Sequence, residues 1–282
     1  MHIKRSMQRH PLVTYFGLAY LLSYGGFVVL VGPKLLRGQP MQPTDAFILF
    51  PMIVVGVCLA GIALTGITGG ARGLRDLFSR IGRWRVGTRW YAVALLTAPV
   101  LILVVLLIFR SLISPVFAPN LLLLGIPFGL LPGLFEEVGW TGYAFPRMWV
   151  KRSPLSASLF LGVLWGLWHA PVVDYLGAAT PHGVYWAPFF LAFIAILTAM
   201  RVLIAWVYSN TNSVLLAQLM HASSTGFLII LSPSHVSPGQ ETLWYAVYAT
   251  VLWLVVALIV MRYGTNLVRR PMEVQVRESA FN

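Results

Sequence analysis

Apolar residues come in runs of about twenty, broken by short basic or Pro/Gly-containing stretches, at roughly 12–31, 46–67, 90–108, 121–143, from 154 to 169–173, 185–208, from 212 to 231, and 243–261. At about 1.5 Å of rise per residue, each run is close to the hydrocarbon thickness of a bilayer. The pattern predicts an all-α polytopic membrane protein with about eight transmembrane helices. Residues 72–89 read differently. There Leu74, Leu77, Phe78, Ile81 and Trp84 recur at helical spacing among Arg72, Arg80 and Arg83, as in an amphipathic helix lying on an anionic cytoplasmic leaflet. Pro154 suits a first helical turn, and Asn210 and Asn212 offer N-caps to the seventh span. The first run is longer than a signal-peptide core, and no small-residue cleavage site follows it.

Composition narrows the class. With 58% apolar and 10% charged residues and a mean hydropathy of +0.79, the chain is far from soluble proteins, where about a quarter of residues are charged. No polar stretch is long enough to fold outside the bilayer, so residues 1–282 read as a single membrane domain with a basic tail over 263–282. The lone Cys58 cannot form an intrachain disulfide. A net charge of +12 would suit nucleic acid only if gathered on one polar module; here it is scattered over the ends of the apolar runs. Lys4, Arg5, Arg9, the arginines of 72–89, Arg147, Lys151, Arg152, Arg201 and the tail arginines fall on one side, with Lys34, Arg37 and Arg110 on the other. By the positive-inside rule both termini are expected in the cytoplasm of a bacterial cell, with the chain in its membrane.

Two of the eight acidic residues break the pattern. Glu136 and Glu137 lie inside an apolar run, about ten residues from Arg147 and so roughly 15 Å into the hydrocarbon. A charge at such depth costs at least ~2.5 kcal/mol, which makes the pair a functional candidate. His169 and His221 also lie within apolar runs. Counted from Arg147, Arg152 and Asn212, Glu136, His169 and His221 are eleven, seventeen and nine residues deep, roughly 13 to 26 Å, so they can meet in one layer. A carboxylate and two imidazoles supply a base for water, a second proton-handling group and a donor for oxyanion charge. Gln218, His221 and Thr225 share one helical face, and Trp165 stands one turn before His169 as an aromatic wall. Glu136 and Glu137 diverge by about 100° and need different partners. Glu136, His169 and His221 also number the three protein ligands of a catalytic zinc site, although no His-Glu-x-x-His helix is present.

Three segments resemble the CPBP (Abi) intramembrane proteases, the family of the type II CAAX prenyl endopeptidases. Glu136-Glu137-Val138-Gly139-Trp140-Thr141-Gly142-Tyr143 resembles its Glu-Glu-x-x-x-Arg motif, Trp165-Gly166-Leu167-Trp168-His169 its aromatic-x-x-x-His motif, and His221-Ala222-Ser223-Ser224-Thr225 its His-x-x-x-Asn motif. Order and spacing make the likeness specific over about 121–231, the expected catalytic core. It implies a metal-free endopeptidase that needs no cofactor and acts on a membrane-associated peptide or protein. In that scheme Glu136 activates water with His169, while His221 and Thr225 stabilise the oxyanion. Glu137 would pair with the arginine at i+4, but that position is Thr141 here; Arg201 is the candidate replacement, and Thr141→Arg is expected to be tolerated. Thr225 replaces the usual asparagine. A non-catalytic immunity or scaffold protein on the same fold, or a transporter, are the alternatives; a transporter would favour inverted repeats, which the chain does not clearly show.

Overall fold

The computed structural model describes residues 7–39, 43–170, 173 and 182–268; the amino terminus, residues 174–181 and most of the expected tail lie outside them. Among the described residues the regular elements are helical and there is no strand. In chain order they are α1 (Pro11–Leu30), α2 (Gly32–Leu36), α3 (Pro43–Ile81), α4 (Thr88–Leu112), α5 (Gly125–Gly139), a π-helical turn (Trp140–Ala144), α6 (Phe145–Trp149), α7 (Pro154–Trp168), α8 (Trp186–Thr211), α9 (Val214–Ile230) and α10 (Pro238–Tyr263). Among the described residues five stretches are long and apolar enough to cross a membrane: Pro11–Val29, Leu49–Ile81, Thr88–Leu112, Gly183–Thr211 and Pro238–Tyr263. Helices α7 and α9 are shorter but equally apolar, and α5 continues through the π turn into α6 over 125–149. The chain is an all-α, multi-pass membrane protein.

Helix α3 runs through both the second apolar run and the start of the basic segment. Its two halves meet at Gly70, whose φ of 59° and ψ of −154° suit glycine and break the axis there. The second half stops at Ile81, ahead of Gly82, so only part of 72–89 is helical. Its apolar face also divides: Leu77 is fully buried against the bundle, while Phe78 and Trp84 stay exposed. Arg80 turns inward with Leu77 rather than outward with Arg72 and Arg75.

Helix α8 is the centre of the bundle and is buried on every side from Ile196 to Ala205. Gly162 of α7 lies against the Thr198 backbone, where an added Cβ would come within 2.7 Å of the Thr198 Cα. Helices α5 and α9 approach along a stripe of small residues. Gly125, Gly129 and Gly133 sit one above another on α5, facing Gly226, Ala222 and the Gln218 carbonyl of α9. Such stripes let helix backbones pack closely in lipid, where the hydrophobic effect does not drive them together. A Cβ at Gly129 would fall 2.6 Å from the Gly226 Cα. Gly129→Val is therefore expected to destabilise the protein by ~1–3 kcal/mol through overpacking, read as a lower thermal midpoint in detergent. An unchanged midpoint would show that the stripe has slack.

The caps differ from expectation at one end. Ser213, not an asparagine, caps α9 by accepting from the Leu216 N–H at 3.2 Å, which frees Asn212 to end α8 in the left-handed conformation at φ 50°. Asn210 instead donates to the Leu267 carbonyl at 2.8 Å, tying α8 to the chain beyond α10. Ser153 caps α7, with Pro154 at its first turn.

Candidate active site

Glu137 is wholly buried and fully engaged. Arg201 of α8 grips it with both terminal nitrogens, Nη1 to Oε2 and Nη2 to Oε1, each at 2.8 Å. The Thr141 hydroxyl, one turn along on the same helix, donates to Oε2, and Arg201 Nη1 also reaches the Thr141 oxygen at 3.3 Å. Thr141 thus makes room for a guanidinium that arrives from another helix. The fork geometry of arginine allows this two-point grip, which a lysine could not reproduce. Arg201 is buried in the core, so it is not one of the basic residues at the ends of the apolar helices.

Glu136 diverges from its neighbour and meets no cation at hydrogen-bond range among the described residues. Its Oε2 accepts from two indole N–H groups, Trp140 at 3.1 Å and Trp165 at 3.0 Å. Trp165 then touches the rest of the site. Its ring lies 4.3 Å beneath the Arg201 guanidinium and 4.9 Å edge-on to His221, its carbonyl accepts from His169 Nδ1 at 2.8 Å, and its ring is 5.8 Å from that imidazole. Both carboxylates, both histidines and Arg201 therefore gather around one indole.

The hydrogen bonds also set the imidazole tautomers. A carbonyl oxygen can only accept, so His169 donates from Nδ1 and keeps Nε2 for other work. His221 Nδ1 meets Glu137 Oε1 at 2.8 Å, and a carboxylate already gripped by Arg201 acts there as the acceptor. Of the third motif, Gln218 points back to α5, donating to the Leu134 carbonyl at 2.6 Å and holding α9 in register. Thr225 is half-buried, and its hydroxyl has no polar partner among the described residues.

Two kinds of positioning residue are not apparent from the motifs alone. Trp140 had a signal, because it is one helical turn from Glu136. Arg80 had none: its Nη2 donates at 3.1 Å to the Gly142 carbonyl in the π turn, and its Nη1 to the Tyr208 hydroxyl at 2.8 Å. A π turn adds a residue to the helical turn and loosens its carbonyl pairing, so Arg80 braces the turn that follows the two glutamates. From α1, Tyr20 donates to the Leu164 carbonyl at 3.0 Å, and Tyr24 donates to the Trp168 carbonyl, where α7 ends beside His169. Tyr15 and Phe16 pack on Trp140, with ring centroids 5.7 and 6.1 Å away.

Glu136 Oε2 and both Nδ1 atoms are committed to protein partners, and among the described residues no three His, Cys, Asp or Glu side chains come together as a ligand group.

Comparison with known proteins falls on the same helices. Residues 118–227 match the family model described as type II CAAX prenyl endopeptidase Rce1-like. A CAAX prenyl protease 2 of Methanococcus maripaludis is 32% identical over 150 residues, a match covering 51% of this chain and 50% of that protein. The chain thus matches about half the length of the curated relative. The matched core holds both carboxylates, both imidazoles and Arg201, and over it this chain is similar to the type II CAAX prenyl endopeptidases.

Proposed function

We propose that the chain is an intramembrane endopeptidase that hydrolyses a peptide bond of a membrane-associated peptide or protein without a metal. The meeting of Glu136, His169 and His221 around Trp165 carries this reading. Water placed between Glu136 Oε1 and His169 Nε2 gives up a proton to one of them as its oxygen attacks the carbonyl carbon. The carbonyl oxygen becomes an oxyanion, which the Thr225 hydroxyl stabilises as a donor, joined by His221 Nε2 when that ring carries a proton on both nitrogens. The proton then passes to the leaving nitrogen, the C–N bond breaks, and acid and amine leave. Glu137, clamped by Arg201, accepts from His221 Nδ1 and holds that imidazole in orientation. The site lies at helix depth among tryptophans, where fixed donors act more strongly than in water.

The relative's printed name points to prenylated CAAX peptides as the first substrates to try, beside unlipidated membrane peptides. In the proposed topology both termini are cytoplasmic, and the exposed arginines Arg72, Arg75, Arg85 and Arg89 face anionic lipid there. Cleavage of such a panel by purified protein in vesicles tests the function; failure to cleave any member would favour a non-catalytic role. His169→Ala and His221→Ala are each expected to lower the rate by roughly 10²-fold or more. Chelators are expected to leave the rate unchanged, and a loss restored by zinc would overturn the metal-free scheme. Thr225→Asn is expected to raise the rate by supplying an amide donor.

A further inference from the structure

Helices α4 and α10 part to leave an apolar fissure that plays no role in the chemistry above. One section, of about 330 Å³, is lined by Val93, Thr97, Trp206, Met220, Val255 and Arg262. A second, of about 390 Å³, shares Val93, Thr97 and Val255 and continues along α4 to Val100 and Leu101. From Val93 to Leu101 the fissure follows α4 for about 12 Å, and it is long, narrow and open to the lipid-facing side.

Its two ends differ in chemistry. The far end has only aliphatic side chains. The near end lies where α8 and α10 finish and α4 begins, and it carries a knot of aromatics: Trp206 packs on Trp90 at 5.0 Å and on Tyr263 at 5.6 Å. Tryptophan and tyrosine gather in this way at the headgroup level of membranes. Arg262, in the last turn of α10, stands at the mouth and has no carboxylate partner among the described residues. Arg89 lies over Trp90 at 5.3 Å nearby. Trp206 Nε1, a buried donor, has no acceptor among the described residues. An aliphatic slot that ends in a cation and an unfilled N–H calls for a chain whose head is an anion.

We propose that the fissure is the site of one anionic phospholipid, with an acyl chain along α4 and its phosphate on Arg262. The lipid fills the seam between α4 and α10 and packs on Met220, the residue before His221 on α9. None of Glu136, His169 or His221 lines the fissure, which assigns it to bulk lipid rather than to a substrate chain.

Native mass spectrometry of protein released from vesicles of equimolar phosphatidylglycerol and phosphatidylcholine, with matched acyl chains, tests this. The wild type is expected to retain one phospholipid with a preference for phosphatidylglycerol of about fivefold, the effect of one arginine near a membrane surface. Arg262→Gln should keep the adduct but bring the ratio to about one. Leu258 lines the fissure and is 62% exposed, so Leu258→Trp can put an indole into the slot without disturbing the core. That variant should lose the adduct of both lipids while its thermal midpoint holds. No retained lipid, or an unchanged ratio in Arg262→Gln, would overturn the proposal. So would displacement of the phosphatidylglycerol adduct by a farnesylated peptide, which would give the fissure to the substrate.

Discussion

Glu136→Gln is expected to abolish proteolysis and leave the bundle folded. The glutamine side-chain oxygen can still accept from Trp140 and Trp165, so both indole contacts survive. What disappears is the ability to take a proton from water, and general-base groups contribute roughly 10²–10⁴-fold to rate. The check is the cleavage rate of a prenylated or membrane peptide in vesicles, alongside the thermal midpoint of the same sample. A midpoint that holds while the rate falls below detection assigns the loss to chemistry. Wild-type rates in this variant would remove Glu136 from the mechanism.

The second large effect is on stability. Arg201→Ala leaves a buried carboxylate without its cation, and breaking a buried pair by removing one partner costs about 3–5 kcal/mol. The variant should unfold well below the wild type in detergent. Thr141→Arg, read from sequence as a tolerated change, meets a different situation in the structure, because the Arg201 guanidinium already lies 3.3 Å from the Thr141 oxygen. Alone it should destabilise by placing two cations at one carboxylate. Combined with Arg201→Ala it should recover much of the lost midpoint, because the guanidinium would then come from one helical turn beyond Glu137, the arginine position of the Glu-Glu-x-x-x-Arg motif that this segment resembles. Simple addition of the two single effects in the double variant would show that the arginines do not share a slot.

The helices were readable because lipid imposes one rule, a run of apolar residues about as long as the bilayer is thick. The glutamate pair and the two histidines stood out for the same reason, as polar groups placed where burial is costly. What could not be read was lateral. Arg201 could be named as a candidate for Glu137, but in the charge pattern it counted as one more basic end, and only the assembled bundle brings it from α8 to the carboxylate. Arg80 looked like one arginine among six on an amphipathic face. Its inward turn follows from the break at Gly70, which sequence shows only as one of two adjacent glycines. The end of α7 at Trp168 did have a signal, since Pro171 stands three residues beyond, where helices commonly stop. The apolar run continued past it and hid the stop. The glycine stripe of α5 is plain once α9 is known to lie against it.

The indole contacts at Glu136 limit the routes by which it can exchange protons. An indole nitrogen has a hydrogen to give and no lone pair with which to receive one, so neither Trp140 nor Trp165 can relay a proton to or from Oε2. Exchange is left to Oε1. Where Glu136 is the group that takes the proton, the proton taken from water and the proton handed to the leaving amine pass through the same oxygen in opposite directions. Peptide synthesis from the two fragments would have to retrace that single doorway, so solvent isotope effects on hydrolysis and on oxygen exchange into the acid product should report the same step.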